Sequence, residues 1–335
     1  MFRKPLGLVS ALALACAPYL AFAATFDVSS PTEFQSALTT AQSNGESDTI
    51  NVAAGFYNIL AGGTLTYTAT ATENAALTIA GADSTTVILD GGSQIPILQI
   101  DTSAVINDGG VSIEVYNMTF QIGRATGSGG ALSIVTDDSQ QPAEFATLVW
   151  IGGSEFYGNT ATGDGGAVFI RAHAVEGIYL DDLTFDRYQV DATTFVSNEA
   201  GGNGGSAYVA GGLFTTPIAL QNIDFFYGIA VGNGGGLAVE GFDSATPSAY
   251  QAQSVSLYDI DFSNNQSQAG GGGASVAALA VSIDTVGFID NDAQTGGGLE
   301  VRESWGSISM VNTGFTGNTA TEDGGGLAAL PSFFN

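Results

Sequence analysis

One arginine and one histidine stand close together in a part of the chain that is otherwise rich in acids. Arg171 and His173 are followed by Asp181 and Asp182, and His173 is the only histidine in the sequence. A base held beside carboxylates can abstract a proton from a substrate, so these four residues form the candidate catalytic group. They also fit a solvated loop in which Arg171 pairs with an acid, which is the simpler interpretation.

Two aromatic residues occupy matching positions in successive repeats of the chain. Phe169 and Tyr208 each follow a Gly-Gly pair at the same distance. If the repeats stack, the two rings become neighbours on an outer face, where they could bind sugar rings or a protein partner. The alternative is that inserted loops fold over them and form a small second core.

Three acids, Glu155, Asp224 and Asp261, each stand directly before a phenylalanine. In stacked strands, Asp224 and Asp261 would lie about 4.8 Å apart, one strand spacing. Like charges at that distance are unfavourable unless a cation bridges them. These acids therefore predict a calcium site, with a solvated acidic face as the alternative. The sequence predicts no other cofactor.

The charge balance of the chain is strongly acidic. Asp and Glu number 33 against 6 Lys and Arg, and the formal net charge is −27. Such a charge repels nucleic acid and anionic lipid and attracts divalent cations. We therefore expect a polysaccharide or a surface or matrix partner, and no nucleic acid.

The first 23 residues have the pattern of an export signal. Arg3 and Lys4 precede an apolar run over 6–20, and Ala21 and Ala23 provide a small-residue cleavage site. Residues 1–23 are thus predicted to be a signal peptide and 24–335 a single domain, secreted to the periplasm, cell surface or medium without membrane insertion. The only cysteine, Cys16, lies in the signal, so we expect no disulfide in the exported chain.

Seven phenylalanines mark a repeat. Each is followed nine or ten residues later by the second glycine of a Gly-Gly pair, and each is preceded at seven and five residues by large apolar residues. This alternation predicts strands with one buried face, and a slip in its parity just before each phenylalanine predicts a bend. The phenylalanines are expected to stack in one internal column: Phe120, Phe156, Phe195, Phe225, Phe262, Phe288 and Phe315.

The position three residues after each of these phenylalanines holds only glycine or asparagine. Both residues enter the left-handed region of backbone space at low cost, so the column predicts one sharp turn per repeat. Stacked asparagine side chains can also form an amide ladder. The column is Gly123, Asn159, Asn198, Gly228, Asn265, Asn291 and Asn318.

These features together predict an all-β fold, a single right-handed parallel β-helix in which each repeat is one coil of a solenoid. The shortest repeats have the length of a leucine-rich repeat, but the leucine pattern is absent. Before the first coil, Ser30 to Glu33 reads as a capping box with proline at the first helical position. It predicts a short N-terminal capping helix that buries Phe34, Ala37, Leu38 and Ala41.

The repeat resembles that of chlamydial polymorphic outer membrane proteins. The resemblance rests on Phe156-Tyr157-Gly158-Asn159 with Gly165-Gly166-Ala167-Val168, and on the same pattern at 315–318 and 324–327. The opening is similar to that of the pectate-lyase-like superfamily, in Asp48-Thr49-Ile50 leading to Gly55-Phe56-Tyr57. The resemblance implies a right-handed parallel β-helix, a fold that hosts adhesins, lyases and hydrolases.

The leading functional hypothesis is a non-catalytic secreted or cell-surface protein that binds a glycan or matrix partner in the manner of an adhesin. The Asn-Thr-Asp, Gly-Asp-Asp and His-Gly elements of galacturonan hydrolases with this fold do not occur in order in the chain. An acidic-polysaccharide lyase or hydrolase is the alternative. A further alternative is a structural module that associates end to end.

Overall fold

The computed structural model describes most of the chain after the signal segment. The described residues are 23–71, 73, 75–105, 112–136, 148–172, 177–181, 193–211, 217–240, 254–278, 280–302 and 307–330. Within them lie one α-helix, one short 3-10 turn at Ile59–Ala61 and many short strands. The predicted site residues His173 and Asp182 fall outside the described residues, as does the side chain of Asp181.

The elements follow one another closely along the chain. In order they are β1 Ala24–Val28, α1 Pro31–Ala41, β2 Asp48–Val52, β3 Gly55–Asn58, β4 Leu65–Thr68, β5 Leu77–Gly81, β6 Val87–Asp90, β7 Leu98–Asp101, β8 Ile113–Tyr116, β9 Thr119–Gln121, β10 Arg124–Ala125, β11 Leu132–Val135, β12 Leu148–Gly152, β13 Glu155–Tyr157, β14 Thr160–Ala161, β15 Val168–Ala172 and β16 Gly177–Asp181. They continue with β17 Thr193–Val196, β18 Glu199–Ala200, β19 Ala207–Gly211, β20 Pro217–Phe226, β21 Ile229–Ala230, β22 Leu237–Glu240, β23 Ser254–Ser263, β24 Gln266–Ser267, β25 Ala274–Ala277, β26 Ala280–Ile289, β27 Asp292–Ala293, β28 Leu299–Arg302, β29 Ile308–Val311, β30 Gly314–Thr316, β31 Thr319–Ala320 and β32 Leu327–Leu330.

The strands form three sheets in which each strand pairs in parallel with its counterpart in the next repeat. The first sheet has 16 strands and contains β1, β2, β3 and the strands that carry the phenylalanines. The second sheet runs from β4 to β32 with nine strands, and the third runs from β10 to β31 with seven two-residue strands. This mostly β architecture with long parallel sheets is compatible with the predicted β-helix.

The phenylalanine column predicted from the repeat is confirmed. All seven rings stack face to face along the interior, with successive centroids 4.7–5.1 Å apart and planes within 9° of parallel. The register extends the column backwards to Leu89 and Tyr57 in the first coils. Equal side chains in equal positions give every coil the same shape, so the strands stack without a change of register.

The bends before the phenylalanines lie where the parity of the alternation slips, as predicted. The predicted position of the left-handed turn after the phenylalanine was wrong by one residue. Positive φ occurs three residues before six of the seven phenylalanines and again two residues after all seven, not at the glycine-or-asparagine column. The residues before are Asn117, Gly153, Asn222, Asp259, Thr285 and Asn312, and those after are Ile122, Gly158, Ser197, Tyr227, Asn264, Asp290 and Gly317.

The asparagines are required at these positions for the hydrogen bonds of their side chains and not for a left-handed backbone. These hydrogen bonds confirm the predicted amide ladder. Asn198 Nδ2 donates to the Phe156 carbonyl at 3.0 Å, and Asn198 Oδ1 accepts from the backbone and side-chain nitrogens of Asn159 at 2.9 and 3.1 Å. Asn265, Asn291 and Asn318 repeat the pattern in the later coils. Gly228 divides the ladder into two runs, and its backbone N–H donates to Asn265 Oδ1 at 2.8 Å.

The predicted helix is present as α1. Ser30 is its N-cap, and its hydroxyl accepts from the Glu33 N–H at 3.3 Å. The Glu33 carboxylate reaches back to the N–H of Ser29, one residue earlier than a standard capping box requires. The buried face consists of the four predicted residues, Phe34, Ala37, Leu38 and Ala41, and α1 packs against β1, β2 and β4.

Candidate binding surfaces

The predicted aromatic pair is stacked on the outer side of the second sheet. Phe169 on β15 and Tyr208 on β19 are register partners, with ring centroids 5.4 Å apart and planes 5° from parallel. Tyr208 is only 9% exposed, whereas Phe169 is half-buried. The pair is therefore rigid, and Phe169 is its more accessible member. That it binds a ligand stays a prediction.

The Tyr208 hydroxyl leads into a polar network that runs along the second sheet. It donates to Glu240 Oε2 at 2.8 Å, and Glu240 Oε1 lies 3.4 Å from Arg302 Nη2. Burial, and after it the charge of Glu240, raise the pKa of Tyr208 well above its usual range, so the hydroxyl remains a donor. Arg302 also contacts Glu300, a residue that is 3% exposed and whose carboxylate accepts from Ser275 Oγ at 2.9 Å.

Sequence reasoning missed this network. The only indication in the sequence was Arg302, one of the few cations outside residues 1–23. Of its partners, Glu240 lies in an earlier repeat and Glu300 lies on the same strand as Arg302. A buried charged group is tolerated only with well-placed partners, which these residues supply. The network orders the outer side chains of β19 to β28 and is best described as structural.

The predicted catalytic group is only partly described. Arg171 is exposed near the end of β15, with its side chain on the outer side of the second sheet. Asp181 ends β16, a strand of the first sheet. His173 and Asp182 lie outside the described residues, so a catalytic role for the four residues stays a prediction.

The predicted calcium ligands lie on one outer face but not on three consecutive strands. Asp224 and Asp261 are register partners on β20 and β23, whereas Glu155 on β13 is separated from Asp224 by Thr194. Burial, and after it the charges of Asp261 and Asp259, raise the pKa of Asp224 above its usual value. No cluster of three or more metal-binding side chains occurs among the described residues. Calcium binding stays a prediction.

An exposed apolar surface adjoins these acids, and sequence reasoning missed it. Tyr157, Val196 and Phe226 are register neighbours that form an outward row on the first sheet. The chain then turns the corner at Tyr227 and enters β21 of the third sheet. Tyr227, Ile229 and Val231, at and around this strand, are 54%, 40% and 49% exposed. We call these six residues the corner face.

The corner face is fixed by the interior beneath it. The residues directly before Tyr157, Val196 and Phe226 point inward as Phe156, Phe195 and Phe225 of the stacked column. Ala230, between Ile229 and Val231, is buried. Tyr227 itself holds a left-handed backbone with φ 56°. Its ring is presented at the corner because the fold, not a local preference, imposes this conformation.

Comparison with known proteins gives one match. A family model described as the Chlamydia polymorphic membrane protein repeat matches residues 153–171. The matched segment begins at the Gly153 bend, contains Phe156, Tyr157 and Asn159, and ends just beyond Phe169. Searches among curated proteins and among solved structures find no match.

The matched model describes a repeat of a polymorphic membrane protein, and the match spans 19 residues of this chain. In the part of the chain that the structure describes, no helix has the length and hydropathy needed to cross a membrane. The match covers part of one repeat, from the bend at Gly153 through β13 and β14 to Arg171 near the end of β15.

Proposed function

We propose that this chain is a non-catalytic surface protein that binds a glycan or matrix partner in the manner of an adhesin. In this proposal residues 1–23 are the export signal, and 24–335 form a single right-handed parallel β-helix with α1 covering its first coil. The observation that carries the proposal is the corner face, where four large apolar side chains are exposed beside the half-buried Val196 and Phe226. Isolated apolar residues are common on surfaces, but a contiguous set is typical of a binding site.

The repeat match and the charge support this proposal. The matched repeat suggests surface exposure, and it includes Tyr157 of the corner face. The formal charge of −27 disfavours nucleic acid and anionic membranes as partners. Stacked coils provide a scaffold that needs no reordering on binding, which lowers the entropic cost of association.

The test is binding of the exported protein to immobilised neutral glycans, acidic glycans and matrix proteins, measured by biolayer interferometry. Tyr157→Ala and Tyr227→Asn each remove an exposed ring, and asparagine tolerates the left-handed backbone at 227. We expect either variant to weaken binding, because aromatic anchors dominate interface energies. Phe169→Ser on the second sheet is the control, and a loss confined to it would move the site to the Phe169–Tyr208 pair.

Catalysis on an acidic polysaccharide is the second candidate, and the exposure of Arg171 favours it. A lyase would produce unsaturated uronates, which absorb in the ultraviolet. A rise in absorbance with pectate or alginate that depends on calcium and is lost in Arg171→Ala would replace the binding proposal. A folded protein that gives neither a rise nor new reducing ends would remove this candidate.

Self-association through the coil at 307–330 is the third candidate. Val311, Leu327 and Leu330 on β29 and β32 are 50%, 37% and 44% exposed. Contact between such coils of two copies would bury these side chains. Light scattering over a concentration series tests it, since a monomer at high concentration excludes end-to-end association and Leu330→Glu should disperse any oligomer.

A further inference from the structure

Two parallel rows of opposite character lie on the outer side of the first sheet. One row contains Tyr157, Val196 and Phe226, and the other, two residues earlier on the same strands, contains Glu155, Thr194 and Asp224. Glu155 precedes Tyr157 and Asp224 precedes Phe226, and Asp261 extends the acidic row onto β23. Along a strand, two residues span about 6.6 Å, so the rows are adjacent.

The described strands of this surface carry no positively charged side chain. The described residues of β13, β17, β20 and β23 include no lysine, arginine or histidine. The nearest cation in the register of the third sheet is Arg124, which is three strands from Ile229 by way of Thr160 and Glu199. Three strand spacings amount to about 14 Å. The acids therefore face solvent without a charged partner from these strands.

The carboxylates of the acidic row repel one another on the unbound surface, and a bound cation would offset this repulsion. Asp224 is half-buried beside the exposed carboxylate of Asp261 on the next strand, and neighbouring like charges are unfavourable. Each carboxylate would be stabilised by an ammonium or guanidinium group from outside. The apolar row beside them would at the same time lose contact with water if an apolar group covered it.

We propose that the corner face and its acidic row dock a polypeptide segment that presents lysine or arginine opposite Asp224 and Asp261 and apolar side chains opposite Tyr157, Val196 and Phe226. This inference rests on the proposed surface-binding function and names the partner as a cationic, apolar protein segment. Charge complementarity identifies the occupant, since the whole chain carries a net charge of −27 and the face itself has no cation among its described residues.

A polypeptide fits this face better than a glycan does. Sugar rings stack on flat aromatic faces, but half of the corner face is aliphatic, in Val196, Ile229 and Val231. Aliphatic side chains gain most from contact with other apolar side chains. Acidic glycans would in addition be repelled by Glu155, Asp224 and Asp261.

The test uses two synthetic ten-residue peptides, one alternating leucine with lysine and one alternating serine with lysine. Fluorescence anisotropy with the exported protein would give their affinities. We expect the leucine peptide to bind at least about ten-fold more tightly than the serine peptide, because only the former covers the apolar row. Equal affinities would mean that charge alone attracts the peptide and would overturn the proposal.

Two pairs of substitutions locate the site. The double variant Asp224→Asn and Asp261→Asn, and the double variant Ile229→Ser and Val231→Ser, should each weaken the leucine peptide by about ten-fold or more. The control for charge is Glu322→Gln with Asp323→Asn, an equal change at exposed residues of another coil. It should change affinity less than about two-fold, and a loss as large as that of the first pair would overturn the proposal.

The outcome also separates this inference from the function on which it rests. If glycans or matrix proteins bind and Tyr157→Ala abolishes their binding, while the leucine peptide does not bind, the surface function stands and the partner class is wrong. If none of the probes binds the folded protein, both proposals fail. Circular dichroism of each variant confirms that the fold is retained.

Discussion

At the scale of single residues, the amide ladder shows how one side chain serves several neighbours. Asn265 donates to the Phe225 carbonyl and to Asn291, and its own oxygen accepts from the Gly228 N–H. Asn265 is 1% exposed, so no solvent can replace these hydrogen bonds. A buried polar group without a partner costs about 1–3 kcal/mol.

We therefore expect Asn265→Ala to lower the free energy of unfolding by about 2–4 kcal/mol, because it leaves several buried polar groups without a hydrogen-bond partner. Chemical denaturation followed by circular dichroism measures the change. Asn51→Ala is the control, because the Asn51 side chain is exposed and donates only to Asp27. If the two variants lose equal stability, the ladder contributes nothing beyond an ordinary surface hydrogen bond.

Asp48 gives the fold a pH dependence. It lies at the start of β2, is 3% exposed and accepts from Asn44 Nδ2 at 2.9 Å. Burial, opposed by the Asn44 hydrogen bond and assisted by the charges of Glu73 and Glu46, raises the pKa of Asp48 to about 6. The folded protein thus holds this proton more tightly than the unfolded chain does, so the stability from Asp48 is full at low pH and falls as the pH rises through about 6.

Asp48→Asn should therefore be more stable than the parent at pH 7 by about 1–2 kcal/mol and close to it near pH 4. Melting temperatures across this range test the expectation. Asp323→Asn, at an exposed acid, is the control for the loss of one negative charge. If the melting temperatures of Asp48→Asn and of the parent differ by the same amount at pH 4 and pH 7, folding does not change the pKa of Asp48.

At the scale of elements, the turn before each second-sheet strand from β11 to β32 contains a glycine with positive φ. Gly234 has φ +71°, and a β-carbon there would lie 2.1 Å from the Leu237 carbonyl oxygen. That oxygen belongs to the backbone of β22 and cannot move aside without breaking the strand. The turn therefore requires glycine for its conformation and for its space.

Gly234→Ala should cost at least about 2 kcal/mol and lower the cooperativity of unfolding, because the strained backbone and the clash add. Gly127→Ala is the matched control, since a β-carbon at Gly127 meets no atom within 4 Å. Thermal unfolding followed by circular dichroism distinguishes the two. A small effect at Gly234 would mean that the coil accommodates a wider turn.

The parts of the fold that repeat in every coil could be predicted from the sequence. Phe195 and Phe225 have the same neighbours above and below, so the column and its stacking follow from their spacing. The left-handed turn was misplaced because asparagine and glycine suit two roles, a positive φ and a buried amide position, and spacing alone does not distinguish them.

The corner face could not be predicted because its residues differ from coil to coil. Tyr157, Val196 and Phe226 share a position but not a residue type, so they form no column in the sequence. Ile229 and Val231 join them only because the chain turns there between two sheets. Exposure, which shows that these side chains form a surface, is a property of the packed coils and not of the repeat.

At the scale of the whole molecule, charge sets the response to salt. With 33 acids against 6 basic residues, the folded chain repels itself. The Debye length falls from about 30 Å at 0.01 M salt to about 8 Å at 0.15 M, which screens this repulsion. We expect the melting temperature to rise with NaCl, and calorimetry over this range measures the rise. A flat response would mean that the charges are too dispersed to matter.

Comparing CaCl2 with NaCl tests whether part of the stabilisation by salt comes from binding of a cation at one site. At matched ionic strength, an ion that binds only the folded state adds stability that grows with the logarithm of its concentration. If Glu155, Asp224 and Asp261 bind calcium, CaCl2 should raise the melting temperature above the NaCl curve, and Asp261→Asn should remove the excess while Asp323→Asn retains it. Coincident curves for the two salts would assign the whole effect to screening, and the acidic row would then have no cation of its own before a basic partner arrives.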